Sequence, residues 1–284
     1  NLQKKYEQAE GLLLQILVEQ KENKARGQEC VKILIDIYTQ TGKPEKVEPL
    51  LAKYPYVNFD EASKDDLHYR AALELYTKEE YQKAGEAFEK YLNMFTAPID
   101  EINALYYAGD CHYRQKNYDK ALPHYEKLLD KQDFTTITEV AAYRASWILY
   151  EAKEYERAIK AYSSLEKVAK EPENLKAALI GQMRCAFLTE DYQMAHNYGE
   201  KVLSEKAQGD VKLEANYSAG VGGYKIGLTD EVLEYLEYTH DHSEGQWGAE
   251  AMYCHADILY KKKDYDKSQK MIKKLVKQKP SYRY

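Results

Sequence analysis

The sequence predicts an all-α fold, a solenoid of antiparallel helix pairs, on three observations. Seven prolines and 14 glycines among 284 residues leave few breaks, which favours long helices over turn-rich β structure. The segments EEYQKAGEAFEKYL, KNYDKALPHYEKLL, KEYERAIKAYSSLE and EDYQMAHNYGEKVL align on Tyr81, Tyr118, Tyr155 and Tyr192, each 37 residues after the last. Counting from each anchor, a small residue falls at +3 and mostly apolar ones at +7 and +10, which is one face of an α-helix.

The elements follow in order. Residues 1–27 read as a partial first unit anchored on Tyr6. Residues 28–279 read as seven helix pairs anchored on Pro44, Tyr81, Tyr118, Tyr155, Tyr192, Thr229 and Tyr265, and residues 280–284 (SYRY follows Pro280 and covers 281–284) as the start of a further unit. Tyr6 and Tyr265 fit after a shift of one residue, and the pattern weakens at Pro44 and Thr229. The +3 column holds Ala9, Val47, Ala84, Ala121, Ala158, Ala195, Val232 and Ser268. These must be small because a second helix crosses there at about 8–10 Å. That helix precedes the anchor and carries its own small residues at −9: Ala72, Gly109, Ser146, Gly220 and Ala256. Glu80, Asn117, Glu154, Asp191 and Asp264, just before their anchors, suit a tight turn or an N-cap. Pro98 and Pro172 fall between units, and Pro49 and Pro123 are expected to bend the start of their helices. Hairpins of this kind cannot bury their apolar faces alone, so the expectation is one stacked solenoid over residues 1–284 rather than two globular domains.

Composition narrows the function. With 44% hydrophobic and 31% charged residues the chain is too apolar for disorder, and a mean hydropathy of −0.73 is too polar for a membrane protein. The longest apolar run, Leu12 to Val18, is short and broken by Gln15, so no membrane span is expected. A net charge of −6 and a pI of about 5.8 argue against nucleic-acid binding by bulk charge. The chain opens at Asn1 with neither an initiator Met nor a signal peptide, and reads as a piece of a longer protein. Tyrosine is the anomaly, with 28 residues.

Those tyrosines fall in columns. Position −12 holds Tyr69, Tyr106, Tyr143, Ile180, Tyr217 and Tyr253; position −5 holds Tyr76, Tyr113, Tyr150, Phe187, Tyr224 and Tyr260. Seven residues separate the columns, so they share one side of each first helix. Between them, at −8, stand Leu73, Asp110, Trp147, Arg184, Val221 and Asp257. Tyrosine offers a large ring, a hydroxyl and few rotors to freeze, which suits a binding surface. Arg184 could pair a carboxylate, and Asp110 or Asp257 could accept from a donor. The competing reading is that the rings pack sideways between successive units.

Here a family resemblance enters. LYYAGDCHYRQKNYDKALPHYEKLL, Leu105 to Leu129, resembles a tetratricopeptide repeat, with Leu105, Ala108, Gly109, Tyr118, Ala121 and Tyr125 at matching positions. The step of 37 rather than 34 departs from that family, as do the non-aromatic anchors Pro44 and Thr229. The resemblance implies a right-handed superhelix whose first helices line a concave surface, placing both aromatic columns and the −8 column inside it. It also implies a non-catalytic scaffold that binds a peptide or helix of a partner protein. Two alternatives are a docking arm for an enzyme or envelope complex, and a helical repeat that binds single-stranded RNA by stacking. Repeats rich in Lys, Glu and Tyr are loosely similar to bacterial cell-envelope proteins, including accessory factors of the Tol–Pal system. That implies a periplasmic or envelope-associated setting, with the cytoplasm left open.

Catalytic, cofactor and metal signals are weak. His240-Asp241-His242 with His255 downstream could suggest metal ligands, but His240 and His242 fall between units and read as a solvated loop. His68, His112, His124 and His196 are scattered over separate helices without a spaced motif. Gly220, Gly222 and Gly223 in SAGVGGYKIG are as glycine-rich as a phosphate loop but lack GK[ST] and fall inside a helix. Asn216-Tyr217-Ser218 is a glycosylation sequon by pattern alone. Cys30, Cys111, Cys185 and Cys254 are expected as free thiols, because Cys111 and Cys185 repeat two units apart, too far for a bridge. The basic end (Lys261, Lys262, Lys263, Lys267, Lys270, Lys273, Lys274, Lys277, Lys279 and Arg283) follows an acidic unit with Asp230, Glu231, Glu234, Glu237, Asp241 and Glu244, and reads as a solvated face.

Overall fold

The computed structural model describes residues 2–133 and 135–278. The SYRY segment, Lys279 and Arg283 lie outside the described residues. Among those described, the regular structure is entirely helical. A lone helix, α1 (Leu2–Glu19), precedes seven pairs. These are α2 (Lys24–Gln40) with α3 (Val47–Lys53), α4 (Glu61–Thr77) with α5 (Tyr81–Met94), and α6 (Glu101–Arg114) with α7 (Tyr118–Asp130). Then come α8 (Thr136–Glu151) with α9 (Tyr155–Val168), α10 (Pro172–Leu188) with α11 (Tyr192–Ser204), α12 (Gly209–Lys225) with α13 (Leu233–His242), and α14 (Gln246–Lys261) with α15 (Tyr265–Gln278). The helices gather into two compact units, residues 1–133 and 134–284.

The aromatic anchor marks the start of the second helix. Tyr81, Tyr118, Tyr155, Tyr192 and Tyr265 are each its first residue. Where the anchor is Pro44 or Thr229, entry runs instead through a 3-10 turn, Pro44–Lys46 or Asp230–Val232, and the following helix is shorter. Side-chain N-caps are fewer than the polar pre-anchor residues suggested. Asp191 accepts from the Met194 N–H and Asp264 from the Lys267 N–H, whereas Glu80, Asn117 and Glu154 make no such bond. Pro172 lies inside α10 as its first residue, where a missing N–H costs nothing.

The turn is closed by the backbone. Two residues before the anchor of each of the seven pairs, φ is positive: Gly42, Glu79, Lys116, Lys153, Glu190, Gly227 and Lys263. In each pair the next residue's N–H donates to the carbonyl five residues back, as in Glu80 to Leu75, Asn117 to His112 and Glu154 to Leu149. The positive-φ residue donates to the carbonyl of position −5 or, for Gly42 and Gly227, its equivalent. Together these satisfy the last carbonyls of the first helix.

Packing follows the small columns. Ala84, Ala121, Ala158 and Ala195 are fully buried, and the Ser268 hydroxyl donates to the Ala256 carbonyl where the two helices cross, at 2.8 Å. A Cβ on Gly109 would stand 2.6 Å from the Tyr125 ring. Glycine is therefore required there by close approach. The glycines of SAGVGGYKIG serve the same end: Gly220 faces Leu236, and Gly222 and Gly223 face His196, within the helix α12. Between pairs, buried carboxylates hold the linking loops. Asp65 accepts from the Tyr91 hydroxyl at 2.6 Å and from the Ile99 N–H, while Glu139 accepts from the Lys170 and Glu171 N–H groups and the Asn174 amide. Asp65 and Glu139 both stand 16 residues before their anchors.

Within each unit the first helices touch one another: α2 with α4 and α4 with α6 in one, α8 with α10, α10 with α12 and α12 with α14 in the other. Among the described residues the backbones of the second helices approach first helices but not one another, and second helices meet only through side chains, as where Lys201 of α11 reaches Glu166 of α9 at 3.0 Å. The first helices thus run along the shorter, inner side of each unit.

Candidate functional site

All fifteen candidate residues lie on first helices: Tyr69 and Tyr76 on α4; Tyr106, Asp110 and Tyr113 on α6; Tyr143, Trp147 and Tyr150 on α8; Arg184 and Phe187 on α10; Tyr217 and Tyr224 on α12; Tyr253, Asp257 and Tyr260 on α14. Their exposure differs sharply. Tyr143, Trp147 and Tyr260 are 45%, 37% and 61% exposed, whereas Tyr69, Asp110 and Tyr217 are buried and the others are half-buried.

The −5 ring packs on its own anchor. Tyr76 meets Tyr81, Tyr113 meets Tyr118, Tyr150 meets Tyr155, Phe187 meets Tyr192 and Tyr260 meets Tyr265, with centroids 5.2–5.8 Å apart and planes inclined by 54–79°. This edge-on arrangement suits the aromatic quadrupole. The rings therefore brace the interhelical turn.

The −8 carboxylates join successive pairs. The Tyr76 hydroxyl donates to Asp110 at 2.5 Å, and Arg114, one turn along α6, donates to the same oxygen. In the other unit Tyr224 donates to Asp257 at 2.7 Å and Lys261 pairs with it at 2.6 Å. The same three-residue bridge thus occurs once in each unit. Burial, and then the bond to the carboxylate, raises the pKa of the Tyr76 and Tyr224 hydroxyls. For Asp257, burial pushes the pKa up, but the bonds from Lys261 and Tyr224 outweigh it and hold the carboxyl low. Arg184 is likewise engaged, making two hydrogen bonds of 2.7 and 2.6 Å to Glu214 of α12. The polar −8 side chains spend their hydrogen bonds within the fold.

The aromatic surface is broadest in the unit formed by residues 134–284. Tyr143 and Trp147 stand one helical turn apart on α8. Further along, Phe187 lies 5.0 Å from Tyr217, which stacks on Trp247 at 5.0 Å and 15°, its hydroxyl bonded to Glu250. Trp247, 39% exposed, stands outside the 37-residue columns, so periodicity could not find it. Ile180 interrupts the −12 tyrosines, and beside it opens a cleft of about 430 Å³ lined by Ala177, Leu179, Ile180, Val202, Ala207 and Val211, with Glu173, Lys176, Glu205, Lys206 and Gln208. Its lining is mostly apolar, as in sites that take an apolar group.

Residues 102–133 match the tetratricopeptide repeat family. This repeat is the pair α6–α7, which contributes Tyr106, Asp110 and Tyr113. The helix pairs on either side follow the same plan. Among solved structures, YrrB, described as a TPR protein with an unusual peptide-binding site, is 19% identical over 69% of this chain and 94% of its own, with a TM-score of 0.46. A tetratricopeptide repeat protein from Parabacteroides merdae is 14% identical over 97% of this chain and 94% of its own, with a TM-score of 0.37. A Rap protein complexed with Competence and Sporulation Factor is 12% identical over 98% of both chains, with a TM-score of 0.34. No curated protein matches the sequence. The tetratricopeptide repeat is a fold of protein-interaction scaffolds.

The remaining chemistry-bearing residues are placed as follows. His240 and His242 are not in a solvated loop but in the last turn of α13. The His240 ring is buried and its Nε2 lies 3.3 Å from His255 Nδ1, while the exposed His242 stacks on Tyr238. Asn216 is buried, its amide donating to the Lys212 carbonyl, so the sequon is inaccessible in the fold. All four cysteines are buried free thiols, and burial pushes those of Cys111, Cys185 and Cys254 up to about 12. Protonated and enclosed, these three thiols are not nucleophiles near neutrality. Among the described residues no helix is long and apolar enough to cross a membrane.

Proposed function

We propose that this protein is a non-catalytic scaffold that binds an extended peptide or a helix of a partner protein on the inner face of its first helices. The surface centres on Tyr143 and Trp147 of α8 and extends over Phe187, Tyr217 and Trp247. The observation that supports this best is the exposure of Tyr143 and Trp147 together. Two large rings one turn apart, left open to water on a rigid inner surface, are the type of anchor that dominates protein interfaces. The engaged state of Arg184 and Asp257 supports recognition led by apolar and aromatic side chains rather than by charge. The cleft beside Ile180 suits one such side chain.

Panning a displayed peptide library against the immobilised chain, followed by titration of the selected peptides, tests this reading. Tyr143→Ala with Trp147→Ala should lower affinity at least tenfold while helicity and melting temperature hold. If affinity per folded molecule is unchanged, the rings are structural and the proposal fails. An envelope setting in a bacterium, implied by the loose resemblance to Tol–Pal accessory factors, belongs to the same proposal and is checked by fractionating the native cell.

A further inference from the structure

A different kind of cluster forms where the second helices α5 and α7 meet the first helix α6. Glu89 of α5, His112 of α6 and His124 of α7 converge in the unit formed by residues 1–133. Glu89 Oε1 lies 2.8 Å from His112 Nε2 and 3.2 Å from His124 Nε2, and one ligand atom from each residue falls within 4.8 Å of the others. The imidazole rings stand nearly parallel, 5.9 Å apart and inclined by 11°. Both histidine side chains are enclosed, at 10% and 15% exposure, while Glu89 reaches solvent at 37%. His112 Nδ1 and His124 Nδ1 are buried without a hydrogen-bond partner.

Comparison of the repeats sets this pair of histidines apart. His112 stands six residues before its anchor, where other pairs place Leu75, Leu149 and Leu259. His124 stands six residues after it, where other pairs place Leu50, Ala87, Ala161, Tyr198, Tyr235 and Met271, the tyrosines bonding to Glu166 and Glu200. Only in this pair do both positions hold histidine, and both rings point the same atom at one carboxylate oxygen.

We infer that Glu89, His112 and His124 form a binding site for a divalent transition metal of the zinc class. Two neutral imidazoles and a carboxylate are the donor set for such an ion, with ligand distances of about 2.0–2.2 Å. Tetrahedral coordination at those distances separates the ligand atoms by about 3.4 Å. The two contacts of Glu89 Oε1 are already close to that spacing. On binding, the proton of each neutral ring shifts from Nε2 to Nδ1 by exchange with solvent, so that Nε2 gives its lone pair to the ion and no net proton is released. The fourth position opens on the solvent side of Glu89 and takes a water. Because the ligands come from three successive helices, the ion ties α5 to both members of the next pair.

The test uses the full chain stripped of metal with a chelator and titrated with Zn²⁺ by calorimetry, and with Co²⁺ for its visible absorption. Variants His112→Leu and His124→Ala restore the residues of the other pairs, so they should fold, and Glu89→Gln keeps the shape of the carboxylate. The wild-type chain should bind one ion at this site and melt at a higher temperature with Zn²⁺. Each variant should lose at least about a hundredfold in affinity and show no shift in melting, while His240→Ala with His242→Ala should retain both effects. Absence of binding at tens of micromolar overturns the inference. So does binding unchanged in His112→Leu and His124→Ala, or binding lost only in the His240 and His242 variant.

Discussion

Five non-glycine residues, Glu79, Lys116, Lys153, Glu190 and Lys263, hold the left-handed conformation that ends a first helix. A side chain there strains against the backbone by about 1–2 kcal/mol, and only the two closing hydrogen bonds and the packing of the next helix maintain it. Replacing Lys153 or Glu79 by Gly should therefore stabilise the fold by about 0.5–1 kcal/mol, after the greater freedom of glycine in the unfolded chain is counted. Urea unfolding at constant slope checks this, and a lower midpoint would show that the side chain contributes more than the strain costs. The opposite limit is Ala158, fully buried at the crossing of α8 and α9. Ala158→Leu forces three extra carbons into a filled space and should cost about 1–3 kcal/mol. These two residues were legible to different degrees. The small column at +3 stands out in any alignment of the repeats, whereas Glu, Lys and Gly at −2 share no chemical property that betrays a positive φ.

At the scale of the helix pair, buried carboxylates decide how one pair leads to the next. Glu139, 3% exposed, accepts two backbone N–H groups from the loop at Lys170 and Glu171 and the amide of Asn174, all 31–35 residues away. Burial would push its pKa up, but these bonds prevail and hold it low. Glu139→Ala leaves donors without an acceptor and should cost about 1–3 kcal/mol, read as a lower urea midpoint. A neutral outcome would mean that water replaces the carboxylate. The bridge from Tyr224 to Asp257 works on the same principle, using a hydroxyl of one pair and a carboxylate of the next. Sequence reasoning assigned Asp110, Arg184 and Asp257 to a ligand-facing column; the structure shows which neighbours occupy them. Nothing in the local pattern reveals that Glu214 or Tyr224 lies within reach, because each partner belongs to a different repeat.

For the whole molecule, buried titratable groups set the pH range of stability. Burial holds His68, His240 and His255 below the ordinary histidine value, so the unfolded chain takes up protons near pH 6.5 before the folded one does. Stability contributed by these groups is complete above that pH and is lost as pH falls through their lowered values. Glu10, Glu139, Glu166 and Asp257, held low by hydrogen bonds that outweigh their burial, add a second loss below about pH 4. At the other end, burial and the neighbouring carboxylates push Tyr38 and Tyr235 up to about 12. Unfolded tyrosines ionise near pH 10, so this stability is lost as pH rises through the folded values. The melting temperature should be highest between about pH 7 and 9 and fall on both sides. A melting temperature that rises from pH 7 to pH 5 would contradict this account.

The amino-acid sequence alone determined the helix pairs, the step between them, the small residues at their crossings and the first helices as bearers of the aromatic columns. Those properties depend on residues at most a few turns apart, and a repeated local pattern declares itself without coordinates. Only the tertiary structure decided that Tyr143 and Trp147 are open while Tyr217 is covered, that Trp247 stacks on Tyr217, and that Glu89 faces two histidines. Each of those facts depends on side chains some 20–35 residues apart meeting in space, where helix rotation and neighbouring bulk select the contact. Periodicity places a residue on a face, and packing determines what it touches there.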